Sequence, residues 1–188
     1  MFTTPLFYQG NHNGLVADEA HVTCPPYGRD LDLEFELGFV VCRDLRDPSP
    51  REARRAIGGF VILNDISLRD TQWEEIHGSP LGPTVKCKSF ATAMSSEVVT
   101  ADELIDVIPS LSGEVLVDGE VWATGRTDDF AHPLEGCDAR SAAGESVFAG
   151  ELLSTGTFAG CSGIEIGRLP RAGAQVTFRI DRLGTLTN

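Results

Sequence analysis

Two glutamates one residue apart are the first side chains whose type and spacing could do chemistry. Glu34 and Glu36 alternate with Leu33, Phe35 and Leu37, a period of two that indicates a strand. Both carboxylates then lie on one face of that strand, about 7 Å apart. Such a pair is either a solvated strand face or, in a cleft, a pair of oxygen ligands for a hard divalent cation. The second interpretation needs a further carboxylate nearby and positive charge to offset the repulsion.

Asp65 and Lys88 are the candidates for those two parts. Asp65 follows the apolar run 60–63, in a segment rich in polar side chains. It would supply the third oxygen ligand of a metal site. Lys88, in the segment 86–92, would supply the balancing charge. Taken singly, Asp65 is equally typical of a cap at a strand end, and Lys88 of a charge in a loop.

The elements of the first half must bring these residues together. Residues 31–42 are predicted to form one strand. Ser49 and Glu52 have the spacing of a capping box, with Pro50 at the first helical position, which predicts a helix to about Ile57. We expect that helix to stop at Gly58 and Gly59, as glycine often ends helices. A buried strand at 60–63 and helix-like residues to about Ile76 follow, and then a turn-rich loop at 78–83.

The second half is predicted to consist mostly of strands. Asp118-Gly119, between two apolar runs, is typical of a type I′ hairpin. Residues 155–157 are expected to form a loop, Cys161 to lie in a glycine-rich loop, and 175–181 to form a late strand. Residues 126–148 are ambiguous between helix and loop. Many strands with few helices predict a single α+β, mainly β domain over residues 1–188.

The composition argues against several classes of function. The formal net charge of −13 argues against nucleic acid or an anionic membrane as a partner. No apolar run approaches the roughly 18 residues of a membrane span, and the first residues lack the basic start of a signal peptide. The five cysteines are scattered and form no CxxC pair, which favours reduced thiols over disulfides or a zinc site. We therefore expect a cytoplasmic protein.

Five segments, in order along the chain, resemble those of the fumarylacetoacetate hydrolase superfamily. They are the E-x-E strand at 33–37, the N-D-x-S-x-R-D motif at 64–70, K-S-F at 88–90, T-G-T at 155–157, and a closing I-G-x-L-x-N-like end at 183–188. Cys87 stands where the family usually has glycine before the lysine. The resemblance implies the family's fold, a mixed β-roll or barrel with a few short helices, and usually a homodimer.

The resemblance also implies roles for particular residues. Glu34, Glu36 and Asp65 would bind a divalent metal, with Mg²⁺ expected first and Mn²⁺ or Ca²⁺ as alternatives. The substrate, a small oxo acid or dicarbonyl compound, would be held by a further set of side chains, and Glu165 and Lys88 would be catalytic. The predicted substrate-binding residues are Arg69, Gln72, Thr157, Asn11 and His12.

Hydrolases of this family carry a catalytic histidine upstream of the segment that resembles residues 5–11, and the eukaryotic enzymes have an arginine near the position of Asn11. Neither has a counterpart in this sequence. We therefore expect enolate chemistry, meaning decarboxylation, tautomerisation or isomerisation, or cyclisation, rather than hydrolysis of a C–C bond. Such hydrolysis, with His12 or His77 as substitute base, is the first alternative. A catalytically silent homologue that acts as a partner subunit is the second.

Overall fold

The computed structural model describes residues 4–80 and 84–188. Among them, fourteen strands and five α-helices are assigned, with three short 3-10 helices at His12–Gly14, Ile108–Ser110 and Thr127–Asp129. The strands are β1 (Leu15–Ala17), β2 (Leu31–Asp32), β3 (Glu34–Val41), β4 (Leu45–Arg46), β5 (Ile57–Asn64), β6 (Ser67–Leu68), β7 (Thr92–Met94), β8 (Val99–Thr100), β9 (Ser112–Val117), β10 (Glu120–Arg126), β11 (Ser146–Val147), β12 (Leu152–Ser162), β13 (Val176–Ile180) and β14 (Gly184–Thr187). The helices are α1 (Pro50–Ala56), α2 (Arg69–Gly78), α3 (Ala101–Leu104), α4 (Leu134–Ser141) and α5 (Gly163–Ile166).

Two sheets carry most of these strands. The larger sheet has the order β1-β7-β5-β3-β12, with β8 also paired to β5, and it is mixed because β1 and β7 run parallel. The smaller sheet is antiparallel, with the order β10-β9-β13-β14. Two further strand pairs, β2 with β6 and β4 with β11, lie outside them. The predicted α+β, mainly β fold with few short helices is confirmed, although the described strands close no barrel.

The core lies between the two sheets and is centred on three aromatic rings. The ring centroid of Phe35, from β3, is 4.5 Å from that of Phe158 on β12 and 4.8 Å from that of Phe178 on β13. Strand β9 approaches so closely that a Cβ on Gly113 would lie 2.5 Å from the Phe35 ring. Because Phe35 points into this core, its neighbours on β3 point to the opposite face.

Most of the elements expected in the first half are present. Helix α1 has both hydrogen bonds of the capping box between Ser49 and Glu52. Helix α2 forms the later part of the predicted helix-like stretch, whose first residues contain the short strand β6 instead. The strand predicted at 31–42 is divided into β2 and β3 at Leu33. The loop predicted at 78–83 falls partly outside the described residues, which omit 81–83.

Gly58 and Gly59 do not end α1, contrary to the prediction. They lie within β5, where a Cβ on Gly58 would come 2.6 Å from the Cβ of Cys42, and one on Gly59 would come 2.6 Å from Val98. These glycines therefore permit close approach of neighbouring backbones rather than a left-handed cap.

The second half departs from expectation at β12. The hairpin of β9 and β10 turns at Asp118 and Gly119, which both have positive φ, as a type I′ turn requires. Residues 155–157, however, belong to β12, whose pairing with β3 shifts register between Ser154 and Thr157. The expected loop is thus a bulged strand, and Cys161 is buried in it. The ambiguous residues 126–148 contain a 3-10 turn, α4 and β11.

Candidate active site

Strands β3 and β5 position three carboxylates on one side of the larger sheet. Glu34 and Glu36 alternate with core residues on β3, and Asp65 follows the last residue of β5. The two strands are paired in register, with Phe35 opposite Asn64. The backbone N–H of Asp65 donates to the Glu34 carbonyl at 3.1 Å, and that of Glu34 donates to the Asn64 side chain at 3.1 Å. These bonds hold the end of β5 against the glutamates.

The three carboxylates form a compact, buried group. One oxygen from each of Glu34, Glu36 and Asp65 lies within 4.8 Å of the others. The exposed fractions of the latter two residues are 4% and 3%. Burying three such groups is costly unless a cation balances them. The predicted clustering of these residues is confirmed, and their role as metal ligands stays a prediction.

Lys88 reaches the group from the turn between α2 and β7. Its ammonium Nζ donates to Glu34 Oε2 at 2.5 Å, to Asp65 Oδ2 at 2.7 Å and to Ser67 Oγ at 2.8 Å. Its neighbour Lys86 is exposed and instead lies over the ring of Tyr27. Lys88 is therefore the balancing cation that the sequence suggested, rather than a loop charge.

Arg69, the first residue of α2, supplies a second cation. Its guanidinium lies 2.7 Å from Glu34 Oε1 and 2.7 Å from Asp32 Oδ2, and it also donates to Gln72 Oε1 at 2.8 Å. The structure therefore brings Arg69 and Gln72 to the site but engages the guanidinium with protein carboxylates. Their contact with a substrate stays a prediction.

Asp32 is a residue of this site that the sequence motifs did not single out. It is fully buried, and its carboxylate accepts from the backbone N–H of Leu33 and of Ile164 as well as from Arg69. A Cβ on Gly163 would lie 2.1 Å from Asp32 Oδ1, so only glycine leaves room there. The signal was available, because the period of two that singles out Glu34 and Glu36 extends back to position 32.

Strand β12 covers Glu36. Thr157 Oγ1 donates to Glu36 Oε1 at 3.3 Å, and the Ser154 hydroxyl makes a short hydrogen bond to Oε2. The register shift on either side of Thr157 turns these two hydroxyls toward β3. The structure thus brings Thr157 and Ser154 to the carboxylates, and the predicted contact of Thr157 with a substrate stays a prediction.

Burial and neighbouring charges shift the pKa values of the side chains in this group. Burial alone favours protonated Glu34, but Lys88 and Arg69 outweigh it and lower the pKa of that carboxyl. Burial, together with repulsion from Asp65 and Glu34, raises the pKa of Glu36. Burial also works against charged Lys88, yet Asp65 and Glu34 raise the pKa of its ammonium above the ordinary value. Lys88 is therefore a cation and hydrogen-bond donor at neutral pH, not a base.

The segment before β1 lies along the same site. The Tyr8 hydroxyl donates to Asp65 Oδ2 at 2.5 Å, a contact that no sequence pattern indicated. Asn11 donates to the carbonyl of Ser89 at 2.9 Å and caps the turn of His12–Gly14. The His12 side chain itself is exposed. Asn11 therefore ties this segment to the turn that carries Lys88.

Glu165 lies in α5, which directly follows β12. Its carboxylate accepts from the backbone N–H and the hydroxyl of Ser162, at 3.2 and 2.6 Å, and closes a capping box. Within residues 4–80 and 84–188, no hydrogen bond or ion pair joins it to the three buried carboxylates. The acid–base role of Glu165 stays a prediction. His77 is exposed and lies against Trp73 with the two rings tilted, their centroids 3.8 Å apart.

A family comparison covers the whole chain. Residues 1–188 match the sequence model of the fumarylacetoacetate hydrolase C-terminal domain. The chain belongs to the fumarylacetoacetate hydrolase family. The five motifs that suggested this family therefore identified it correctly, and the family includes isomerases, tautomerases and hydrolases.

Individual relatives illustrate that range. The chain is 26% identical over 192 residues to the human mitochondrial oxaloacetate tautomerase, covering 98% of the chain and 58% of the relative. It is 27% identical over 198 residues to a 2,4-didehydro-3-deoxy-L-rhamnonate hydrolase of a Sphingomonas species, covering 97% and 64%. This family member therefore spans about three fifths of the length of these curated relatives.

Solved structures show the same fold. The 5-carboxymethyl-2-hydroxymuconate delta-isomerase of Mycobacterium smegmatis superposes with a TM-score of 0.83 at 22% identity, over 100% of this chain and 70% of that one. The fold expected from the family resemblance is thus confirmed. No helix in the described parts of this family member is long and apolar enough to cross a membrane.

Proposed function

We propose that the protein is a metal-dependent tautomerase or isomerase that stabilises an enolate on a small oxo acid or 1,3-dicarbonyl compound. The observation that carries this proposal is the buried group of Glu34, Glu36 and Asp65, with Lys88 and Arg69 directly against it. A tautomerase needs positive charge where an enolate develops, inside a site that excludes water. Family membership, and the presence of a tautomerase among the relatives, support the choice.

The donor set fits a hard divalent cation. All three ligand candidates are carboxylates, their oxygens lie within 4.8 Å of one another, and none is a thiol or an imidazole. Oxygen-only ligands favour Mg²⁺ or Mn²⁺, with Ca²⁺ as an alternative, over zinc or copper. Such an ion, when bound, supplies Lewis-acid stabilisation of a developing enolate.

The cations of the chain itself have a separate task. Lys88 and Arg69 are buried against Glu34 and Asp65, so their positions are set before any substrate arrives. Fixed donors of this kind stabilise a negative oxygen without having to reorient during the reaction. We assign Lys88 and Thr157 to hold the anionic part of the substrate, and Arg69 with Gln72 to orient it.

A proton must also leave and return at the carbon next to the carbonyl. Because Lys88 remains protonated, it can donate but cannot remove that proton. Glu165 is the proposed acid–base group, and the Tyr8 hydroxyl, which lies on Asp65, is a further donor near the site. His12 is proposed as a substrate contact at the outer edge of the site, next to Asn11.

Exchange of substrate α-protons tests the proposal directly. The protein, supplied with Mg²⁺ or Mn²⁺ in D₂O, should exchange the α-protons of oxaloacetate or a related oxo acid faster than buffer with metal does. NMR follows the exchange. The Asp65→Asn variant, prepared identically, is the control that should lose the acceleration. Equal exchange in the wild type and in that variant would remove the basis of the proposal.

Hydrolysis of a C–C bond is the second candidate, because one relative is a hydrolase. Reaction in ¹⁸O-labelled water separates the two reactions, since hydrolysis places the label in a new carboxylate and tautomerisation does not form one. A silent homologue that acts as a partner subunit is tested by the metal content of the purified protein, which should be close to zero in that case. The homodimer and the cytoplasmic location stay predictions.

A further inference from the structure

The turn that carries Lys88 is held in an unusual backbone conformation. Val85 has a φ of +61°, in the left-handed region that β-branched residues rarely adopt. Its carbonyl accepts hydrogen bonds from the Lys88 backbone N–H at 3.1 Å and from the Ser89 hydroxyl at 2.8 Å. Residues in such conformations persist only where their surroundings hold them.

Glu75 provides that hold. This residue of α2 is only 8% exposed, and its carboxylate Oε1 accepts from the Lys86 backbone N–H at 2.5 Å and from the Thr84 hydroxyl at 2.7 Å. Its Oε2 lies 3.4 Å from the Cys87 backbone N–H. The bonded groups lie on both sides of Val85 and end directly before Lys88.

These partners distinguish Glu75 from an ordinary surface carboxylate. A free surface carboxylate would be hydrated, whereas this one is buried against uncharged donors of a single turn. Hydrogen bonds to an ionised acceptor are the strong ones, and burial raises the pKa of Glu75 less than these bonds lower it. The ionised form is therefore the one that holds the turn.

We propose that Glu75 is a positioning residue that fixes the Lys88 ammonium between Glu34 and Asp65. Arg69 is the first residue of the same helix, six positions earlier. Helix α2 therefore positions both cations of the site, Arg69 directly and Lys88 through the carboxylate of Glu75. The inference rests on the proposed function only where it assigns a catalytic consequence to the position of Lys88.

A kinetic experiment tests that consequence. Glu75→Gln keeps the size of the side chain but puts an amide N–H₂, which cannot accept, at one of the two oxygen positions. We expect it to lower kcat/KM by about tenfold, mainly by raising KM, the parameter that Lys88→Met should raise. Glu74→Gln, at the exposed neighbouring position, is the matched control and should leave both parameters unchanged.

The double variant separates positioning from general damage. If Glu75 acts through Lys88, adding Glu75→Gln to Lys88→Met should cause almost no further loss, because coupled residues are not additive. Multiplied effects would overturn the inference, as would wild-type kinetics in Glu75→Gln. Should that variant fail to fold, Thr84→Val, which removes only one donor to Glu75, replaces it, with a smaller decrease expected.

Cys87 gives a readout that does not depend on activity. Its thiol is 3% exposed, so maleimide labelling, mapped by mass spectrometry, reports opening of the turn. Because the Glu75 carboxylate itself raises the pKa of the Cys87 thiol, the variant used for labelling is Thr84→Val, which keeps that charge. It should speed the labelling of Cys87 over that in Glu74→Gln, with the exposed Cys24 as internal reference. Unchanged labelling overturns the inference even if the enzyme is active. If labelling is faster but the protein has no tautomerase activity, the inference that Glu75 holds the turn stands and only the proposed function is overturned.

Discussion

The Asp32 carboxylate accepts a hydrogen bond from Arg69 Nε at 2.7 Å, with the side chains 0% and 9% exposed. Because Asp32 also accepts from the backbone of Ile164, it links α2, which carries the site's guanidinium, to α5, which carries Glu165. A buried acceptor with this many donors has no substitute among uncharged side chains of its size.

Replacement of Asp32 by Asn should therefore destabilise the protein strongly. The amide places an N–H₂ donor where the neighbouring groups are also donors, and it leaves the buried guanidinium with one carboxylate fewer. This change should lower the free energy of unfolding by about 3–5 kcal/mol. Urea denaturation measures it. Asp30→Asn is the control, since Asp30 pairs with Arg29 at 3.8 Å on the surface, where such pairs contribute about 0–1 kcal/mol. Similar losses in both variants would contradict the buried role of Asp32.

Removal of one carboxylate should abolish metal binding. Asp65→Asn and Glu34→Gln each take a negative oxygen from the group of three, so calorimetric titration with Mg²⁺ or Mn²⁺ should show binding for the wild type and for neither of these variants. Circular dichroism checks that the variants are folded. The exposed residue Glu120 provides Glu120→Gln as a control with wild-type affinity. Undiminished tautomerase activity after exhaustive chelation would also count against the metal site.

The two lysines of the chain offer a matched comparison. Lys88→Met removes an ammonium that is bonded to two buried carboxylates, and we expect the substrate KM to rise about 10- to 150-fold, the value of a hydrogen bond to a charged group. Lys86→Met removes the exposed lysine two positions earlier and should leave KM within about twofold. Steady-state kinetics measures both, and equal effects of the two variants would exclude Lys88 from substrate binding.

Glu165→Gln isolates the acid–base role of that side chain. Glutamine also suits the third position of a capping box, so the α5 turn should remain while the titratable group is lost. If Glu165 moves the proton, exchange in D₂O should slow by about 100-fold or more, with an unchanged melting temperature. Wild-type exchange in this variant would leave Glu165 with its capping role alone and direct attention to the Tyr8 hydroxyl.

Asp138 should make stability depend on pH. It is fully buried in α4, its carboxylate has no hydrogen-bond partner among the described residues, and burial raises its pKa to about 6 from 3.8. The unfolded chain then ionises at lower pH than the folded one, so stability decreases as pH rises from about 4 to 6. The gap corresponds to about 3 kcal/mol above pH 6.

Asp138→Asn should remove that dependence. We expect the variant to be more stable than the wild type at pH 7, by up to about 3 kcal/mol, and equally stable near pH 4. Urea denaturation at several pH values measures the difference. Glu135→Gln, in the same helix, should leave the pH dependence unchanged. A constant difference between Asp138→Asn and wild type across this range would show that Asp138 does not titrate as described.

Local patterns in the sequence were sufficient to predict the elements that depend only on residues close together in the chain. The alternation around Glu34 predicted its strand, the spacing of Ser49 and Glu52 predicted α1, and Asp118-Gly119 predicted the hairpin, because each depends only on neighbouring residues. The motifs also identified the family, and with it the three carboxylates and Lys88. The bulges of β12 were missed, since they arise from its pairing with β3, more than 100 positions away.

The tertiary structure alone added the further groups that surround the carboxylates. Asp32 follows the same alternation as Glu34. Its role, however, depends on its contact with Arg69 and on the space left by Gly163, and no local pattern contains either of these. The same holds for Tyr8 on Asp65 and for Glu75 beneath the Lys88 turn. Buried polar groups must find partners wherever the fold supplies them. For that reason the ligand candidates and Lys88 could be identified from the sequence, whereas Asp32, Tyr8 and Glu75 became apparent only in the folded chain.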